Sequence, residues 1–287
     1  MEFETELNKN FSYKVLSASD EPFRNYGEHS WRIIIDVVVK PPPSDITVIL
    51  NVYKRPHTLA QQLEAIRSQT LAPEKIIIYQ NRAEGFVIPE EIREDKSITI
   101  IESSENFGVW ARFAIGLLAK TTYVCVFDDD TIPGKLWFEN CYNTILQVNG
   151  LLGTIGVIFR PSNDRYIIKN RHGWGNPNEN IEQVDIVGHS WFFKREWLVQ
   201  LWSIVPDYSF MDVSGEDMGF SYALQKIGIN TYVPPHPKDN LEMYGSIPDS
   251  AWKYGMESHC VSLNHWSKFD KMYKFYKEKG FRLLEDK

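Results

Sequence analysis

The chain has 287 residues, 43% of them hydrophobic and 24% charged, with a formal net charge of −7. That is an ordinary globular composition with ample residues for a core, and the acidic balance argues against a duplex nucleic-acid binder, whose phosphate contacts need clustered lysine and arginine. No apolar run approaches the ~18 residues that a membrane-spanning helix needs, and the acidic, polar start MEFETELNKNFSYK does not read as a secretory signal.

Cys125, Cys141 and Cys260 are few, widely spaced and never in a CxxC pair. They predict neither a zinc site nor a disulfide framework, and they point to a reducing, cytoplasmic setting. The sequon at Asn10 carries little meaning there.

Residues 1–45 read as an N-terminal extension, with one strand-like run, WRIIIDVVV, and a stiff stop at PPPSD. From residue 46 the pattern becomes regular. ITVILNVY (46–53) is a buried strand, and LAQQLEAIRSQT follows with Leu59, Leu63 and Ile66 at helical spacing. KIIIYQN (75–81) and SITIIES (97–103) are further strands. VWARFAIGLLAK (109–120) reads as a helix and TYVCVFD (122–128) as a fourth strand. Strands alternating with helices at this spacing predict βαβ units and a mainly parallel α/β sheet buried on both faces.

The second half is less regular. GTIGVIF (153–159) and VDIVGHSWFF (184–193) look like strands joined by a long, glycine- and asparagine-rich loop. GEDMGFSYALQKIG (215–228) is a helix entered at Glu216 and Asp217, with Phe220, Ala223, Leu224 and Ile227 on its inner face. The last segment, 266–287, is an amphipathic helix in which lysines alternate with Trp266, Phe269, Tyr273, Phe275 and Tyr276. It either packs on the domain or rests on an anionic membrane surface as a peripheral contact.

Open parallel sheets bind ligands outside the carboxyl ends of their strands. That rule gathers residues 51–55, Gln80, Asn81, Asn106 and the run Asp128, Asp129, Asp130 along one edge. An extended backbone puts Asp128 and Asp130 on one side, about 6–7 Å apart. Their repulsion is roughly 2–3 kcal/mol at an effective dielectric near 20. A hard divalent cation, Mn²⁺ or Mg²⁺, relieves it and leaves open positions for phosphate oxygens. The competing account is a solvated turn in which the aspartates cap the next helix.

The series TVILNVYKRPHTLAQQLEAIRSQT, IIIYQN, FDDDT and GED, in this order and spacing, resembles a nucleotide-sugar glycosyltransferase of the GT-A fold and is similar to family 2 enzymes. The motifs VYKR, DDDT, VGHSWFFKREWL and KDNLE also resemble the exostosin-like family. The likeness spans about residues 45 to 260 and implies a GT-A domain over 46–265.

It further implies a set of roles. Tyr53 and Arg55 hold the nucleotide, Asn81 faces the uracil, and Arg112 serves the nucleotide or its phosphates. Asp128 and Asp129 lie near the ribose, Asp130 with Asp128 holds the metal, and Asp217 beside Glu216 acts on the acceptor. The donor is a UDP-linked sugar and the acceptor a glycan or glycoconjugate hydroxyl. A C-terminal histidine, His236 or His259, is a further candidate ligand, His189 is a candidate to approach the pocket, and Trp174 and Trp191 are candidates to stack on a sugar. Exostosin-like enzymes carry an arginine where this chain has AWKYGMESH, and Lys253 lacks the planar fork. The stereochemical course is therefore open.

Three other classes share parts of this pattern. A nucleotidyltransferase also pairs aspartates with a metal, but NVYKRPHTL lacks its glycine-rich loop. A glycoside hydrolase uses two carboxylates, though clustering at one strand end favours a metal. A non-catalytic nucleotide- or sugar-binding module would bind without turnover. No GxxxxGK[ST] or GxGxxG occurs.

Overall fold

Strands rich in β-branched and aromatic residues, most of them buried on both faces, build the centre of the larger unit of this chain. We describe them from a computed structural model, which covers residues 14–19, 32–36, 45–204, 209–255 and 266–286. Asn10, His259 and Cys260 lie outside these residues. The chain forms two compact units, Met1–Ser44 and Asp45–Lys287. In the first, β1 (Lys14–Ser19) pairs antiparallel with β2 (Arg32–Asp36), the latter falling within the expected WRIIIDVVV run.

The second unit opens with β3 (Ile46–Val52), then α1 (Leu59–Arg67), β4 (Lys75–Gln80), the single turn α2 (Glu90–Arg93), β5 (Ile98–Glu102), α3 (Ala111–Gly116) and β6 (Tyr123–Phe127). β5, β4, β3 and β6 lie side by side, all parallel. Parallel neighbours need crossovers, which the intervening helical segments supply. Leu59, Leu63 and Ile66 of α1 are buried as their spacing predicts, and so is Gln62.

α4 (Trp137–Val148) leads into β7 (Leu151–Phe159), β8 (Ile168–Gly173), β9 (Glu182–Val184) and β10 (Ile186–Lys194). β10 inserts between β6 and β7 and runs antiparallel to both. β8 pairs antiparallel with β7 as well. α5 (Leu198–Trp202), α6 (Glu216–Gln225), β11 (Thr231–Val233), α7 (Pro248–Gly255) and α8 (Trp266–Glu278) complete the unit. The nine-stranded sheet is thus parallel in its first half and largely antiparallel in its second, because β7, β8, β9 and β10 are joined by loops rather than by crossover helices.

Three expectations change. The loop expected between 153–159 and 184–193 contains β8, whose backbone is taken up by pairing with β7. The 109–120 helix shrinks to α3, which presses Phe113 edge-on against Trp191 at 5.3 Å and Phe220 at 5.8 Å. Ile227 is 48% exposed rather than inward-facing, because α6 ends at Gln225 and the helical period is lost before it. The C-terminal helix turns Met272, Tyr273 and Tyr276 into a second core cluster with Phe159, Phe210 and Tyr222. Lys271 and Lys274 point outward. No helix among the described residues is long and apolar enough to cross a membrane.

Phe113 is fully buried and touches three aromatic rings. Truncating it to alanine leaves a cavity that its rigid neighbours fill poorly. Phe113→Ala is expected to lower stability by about 3–5 kcal/mol in urea unfolding; a loss below about 1 kcal/mol would show that the aromatic cluster repacks.

Candidate active site

β6 ends at Phe127, and the chain turns at once: the Thr131 amide donates to the Asp128 carbonyl at 3.3 Å. The three aspartates therefore lie on a turn and not on an extended strand. This brings Asp128 and Asp130 nearer than alternate extended positions allow, and it sends Asp129 the other way. Buried polar side chains clamp the turn from below. Gln62 Nε2 donates to the carbonyls of Asp128 and Thr131, both at 2.8 Å, and Thr58 Oγ1 donates to the Asp129 carbonyl at 2.6 Å.

Asp129 is buried and meets Arg55, whose Nη1 lies 2.7 Å from its Oδ1 and 3.7 Å from Asp130 Oδ2. Burial and the Asp130 charge push the Asp129 carboxyl up to about 6, with Arg55 drawing it down. Burial raises Asp130 too, against the pull of His189.

His189 completes the group from β10. The strand bulges between Gly188 and Trp191, and His189 sits there with φ 65°, a left-handed conformation uncommon for a residue with a side chain. Its carbonyl accepts from the Asp128 amide at 2.9 Å and from Thr131 Oγ1 at 3.0 Å, while its Nδ1 lies 3.8 Å from Asp130 Oδ1. One donor atom from each of Asp128, Asp130 and His189 lies within 4.8 Å of the other two. An ion about 2.1 Å from each needs donors at most about 4.2 Å apart; the 3.8 Å between His189 Nδ1 and Asp130 Oδ1 meets that, and the donor chemistry of two carboxylates and one imidazole suits a divalent cation.

On the other side of Asp128 stands Arg112, buried on α3. One Nη binds Asp128 and the other binds Glu216 Oε1 at 2.6 Å, while the guanidinium stacks on Trp191 at 4.5 Å. Burial works against its charge, but Asp128 and Glu216 outweigh it and hold the guanidinium protonated. Glu216 is pushed up to about 8 by burial, with Arg112 opposing. Arg112 thus ties the acidic turn to the start of α6.

That start depends on Gly215, which has φ 98° and where a Cβ would fall 2.6 Å from the Phe210 ring. Its carbonyl accepts from Tyr276 of the C-terminal helix at 3.2 Å. Asp217 follows Glu216 and takes the Met218 amide on Oδ1 at 2.6 Å. Burial pushes its carboxyl up to about 6, with that amide drawing it down.

Tyr53, Arg55, Arg112, Asp128, Asp129, Asp130, Glu216 and Asp217 all line one cleft of about 340 Å³. Asn81 is not among its walls. It is buried, donating to Asn106 Oδ1 at 2.7 Å and accepting from the Phe107 amide at 3.0 Å, so its amide fastens the loop over residues 106–108. Asn106 in turn donates to the Tyr53 hydroxyl at 3.2 Å.

His236 lies apart from the acidic group, fully buried against Trp137 and Tyr244, with Nδ1 2.8 Å from the Pro234 carbonyl. Burial drops its pKa to about 4. Trp191 is buried beneath Arg112, and Trp174 packs 6.0 Å from His189. Thr58, Gln62, Tyr166 and Arg171 escaped the sequence reading. Of these, Gln62 alone left a signal, as a polar residue inside the apolar stripe of α1.

The chain matches the family described as Glycosyl transferase family 2 over residues 47–202. The comparison with curated proteins finds no match. The matched region runs from β3 through β10 to the end of α5, and so contains the acidic turn, Arg112 and His189.

Arg112 is the only link between Asp128 and Glu216 among the described side chains. Its loss leaves the buried Glu216 carboxylate and the half-buried Asp128 carboxylate without their shared counter-charge. Arg112→Gln is expected to cost about 3–5 kcal/mol in chemical denaturation. Arg112→Lys should recover only part, because one ammonium cannot serve two carboxylates in the plane of a fork. A glutamine variant within 1 kcal/mol of the parent would mean that the link is structurally idle.

Proposed function

The chain belongs to glycosyl transferase family 2, and on that premise we propose that it moves a hexose or N-acetylhexosamine from a UDP-linked donor to a hydroxyl of a glycan or glycoconjugate. The observation that carries this reading is the convergence of Asp128, Asp130 and His189 in the cleft that also holds Asp217. The GT-A arrangement of the sheet puts both groups at one rim.

Asp128, Asp130 and His189 would hold Mn²⁺ or Mg²⁺, with the imidazole favouring Mn²⁺ over the all-oxygen preference of Mg²⁺. When bound, the cation offsets charge on the departing diphosphate. Asp129 has a separate task. Paired with Arg55, it fixes the turn so that its two neighbours face the donor. Tyr53, with Lys54 Nζ 5.0 Å from its ring centroid and Asn106 on its hydroxyl, offers a surface for the nucleotide base. Arg112 keeps Asp128 oriented and registers α6 against the donor.

Asp217 then serves the acceptor. In an inverting displacement its carboxylate takes the proton of the attacking hydroxyl, which requires it ionised and within hydrogen-bond reach. A carboxyl raised to about 6 is a better proton acceptor than an ordinary aspartate and is still mostly ionised at pH 7. Glu216, committed to Arg112, is a positioning residue. A membrane-resting role for the C-terminal helix finds little support, since Met272, Tyr273 and Tyr276 are spent on the core.

The reading is tested by incubating the protein with UDP-sugars, Mn²⁺ and acceptor and measuring UDP release. Release with no donor would leave a binding module. Asp130→Ala should keep the fold and abolish the increment that Mn²⁺ adds to UDP affinity, as read by calorimetry. An unchanged increment would remove Asp130 from the metal site.

Asp217→Asn should retain UDP affinity and lower kcat by about 10²–10⁴. In the parent enzyme the rate should fall as pH drops through about 6, where Asp217 becomes protonated and can no longer accept a proton. A rate flat from pH 8 to 5 would strip Asp217 of the base role.

A further inference from the structure

Four basic side chains line the cleft: Lys54, Arg55, Arg112 and Arg171. Arg55 is spent on Asp129, Arg112 on Asp128 and Glu216, and Lys54 lies over Tyr53. Arg171 differs from these. It is exposed on β8, and its guanidinium makes no ion pair or hydrogen bond among the described residues. Its backbone is held in place: Arg171 pairs with Val157 of β7, and its carbonyl accepts from Asn176 Nδ2 at 2.5 Å.

A guanidinium with a fixed base, facing a cleft and without an ion-pair partner among the described residues, is suited to bind an anion brought by a ligand.

The donor diphosphate does not account for it. β6, β10, β7 and β8 are successive neighbours, so Arg171 stands roughly 14 Å of sheet away from the acidic turn. Asp217 lines the same cleft as Arg171.

We propose that the acceptor is an anionic saccharide, bearing a carboxylate or phosphate, and that Arg171 receives that charge. This rests on the glycosyltransferase reading of the same cleft.

The test is calorimetric titration of the whole protein, first with UDP and Mn²⁺, then, with both saturating, with glucose, glucuronate and glucose 6-phosphate in turn. These probes differ only at C6. At least one charged probe should bind about tenfold or more tightly than glucose. Arg171→Gln should abolish that preference and Arg171→Lys should keep part of it. Preference for glucose 6-phosphate assigns a phosphate, and preference for glucuronate a carboxylate.

Charged probes that bind no better than glucose, or a preference that survives Arg171→Gln, would overturn the inference while leaving the donor site standing. Failure of UDP itself to bind would overturn the underlying reading and this inference together.

Discussion

Five carboxylates share the walls of one cleft, and two arginines hold four of them. Asp128, Asp129 and Asp130 come from one turn, Glu216 and Asp217 from the start of α6. Burying such a set without counter-charge costs several kcal/mol per ion. Arg55, just beyond β3, and Arg112, on α3, supply the counter-charge from two different elements. Replacing buried ion pairs by apolar residues is often neutral or stabilising, so this arrangement is poorly explained by stability. It is better explained by placement: each arginine fixes where a carboxylate points.

The two arginines divide the acidic turn. Arg55 draws Asp129 toward the α1 side, where Thr58 and Gln62 hold the turn by its carbonyls. That leaves Asp128 and Asp130 facing the bulge of β10, whose left-handed His189 binds the turn with its carbonyl and offers its ring to Asp130. Arg112 carries the order outward to Glu216, so the elements that would meet donor and acceptor move as one piece. Strain at His189 and buried charge at Arg112 are local costs that the large aromatic core around Phe113, Trp191 and Phe220 can absorb.

The parallel half of the sheet was legible because its strands are buried on both faces, which leaves continuous apolar runs such as ITVIL and YVCVF. The rim residues followed from where those runs stop. The antiparallel half was harder, since VDIVGHSWFF looks like one unbroken strand and hides both the break before β10 and the bulge at His189. Asp128 to Asp130 could be read as a strand end or as a turn; the turn is held from afar by Gln62, 66 residues from Asp128, and by Thr58. Asn81 had the right position for a base contact, but its amide is consumed by the loop at Asn106. Partners distant in sequence decide these details, and a single sequence does not display them.

The charge on the cleft has a consequence for how ligands enter it. Five carboxylates oppose four basic side chains, and two of those four are already paired internally. A dianionic diphosphate of the proposed donor, arriving alone, would meet a wall that is acidic at Asp128 and Asp130. A divalent cation would offset the negative charge that Arg55 and Arg112 leave uncompensated among Asp128, Asp129, Asp130 and Glu216. Brought together, their charges cancel, so each relieves the cost of the other by several kcal/mol at the distances and dielectric of a partly buried site. The arrangement therefore favours mutually dependent binding of cation and nucleotide.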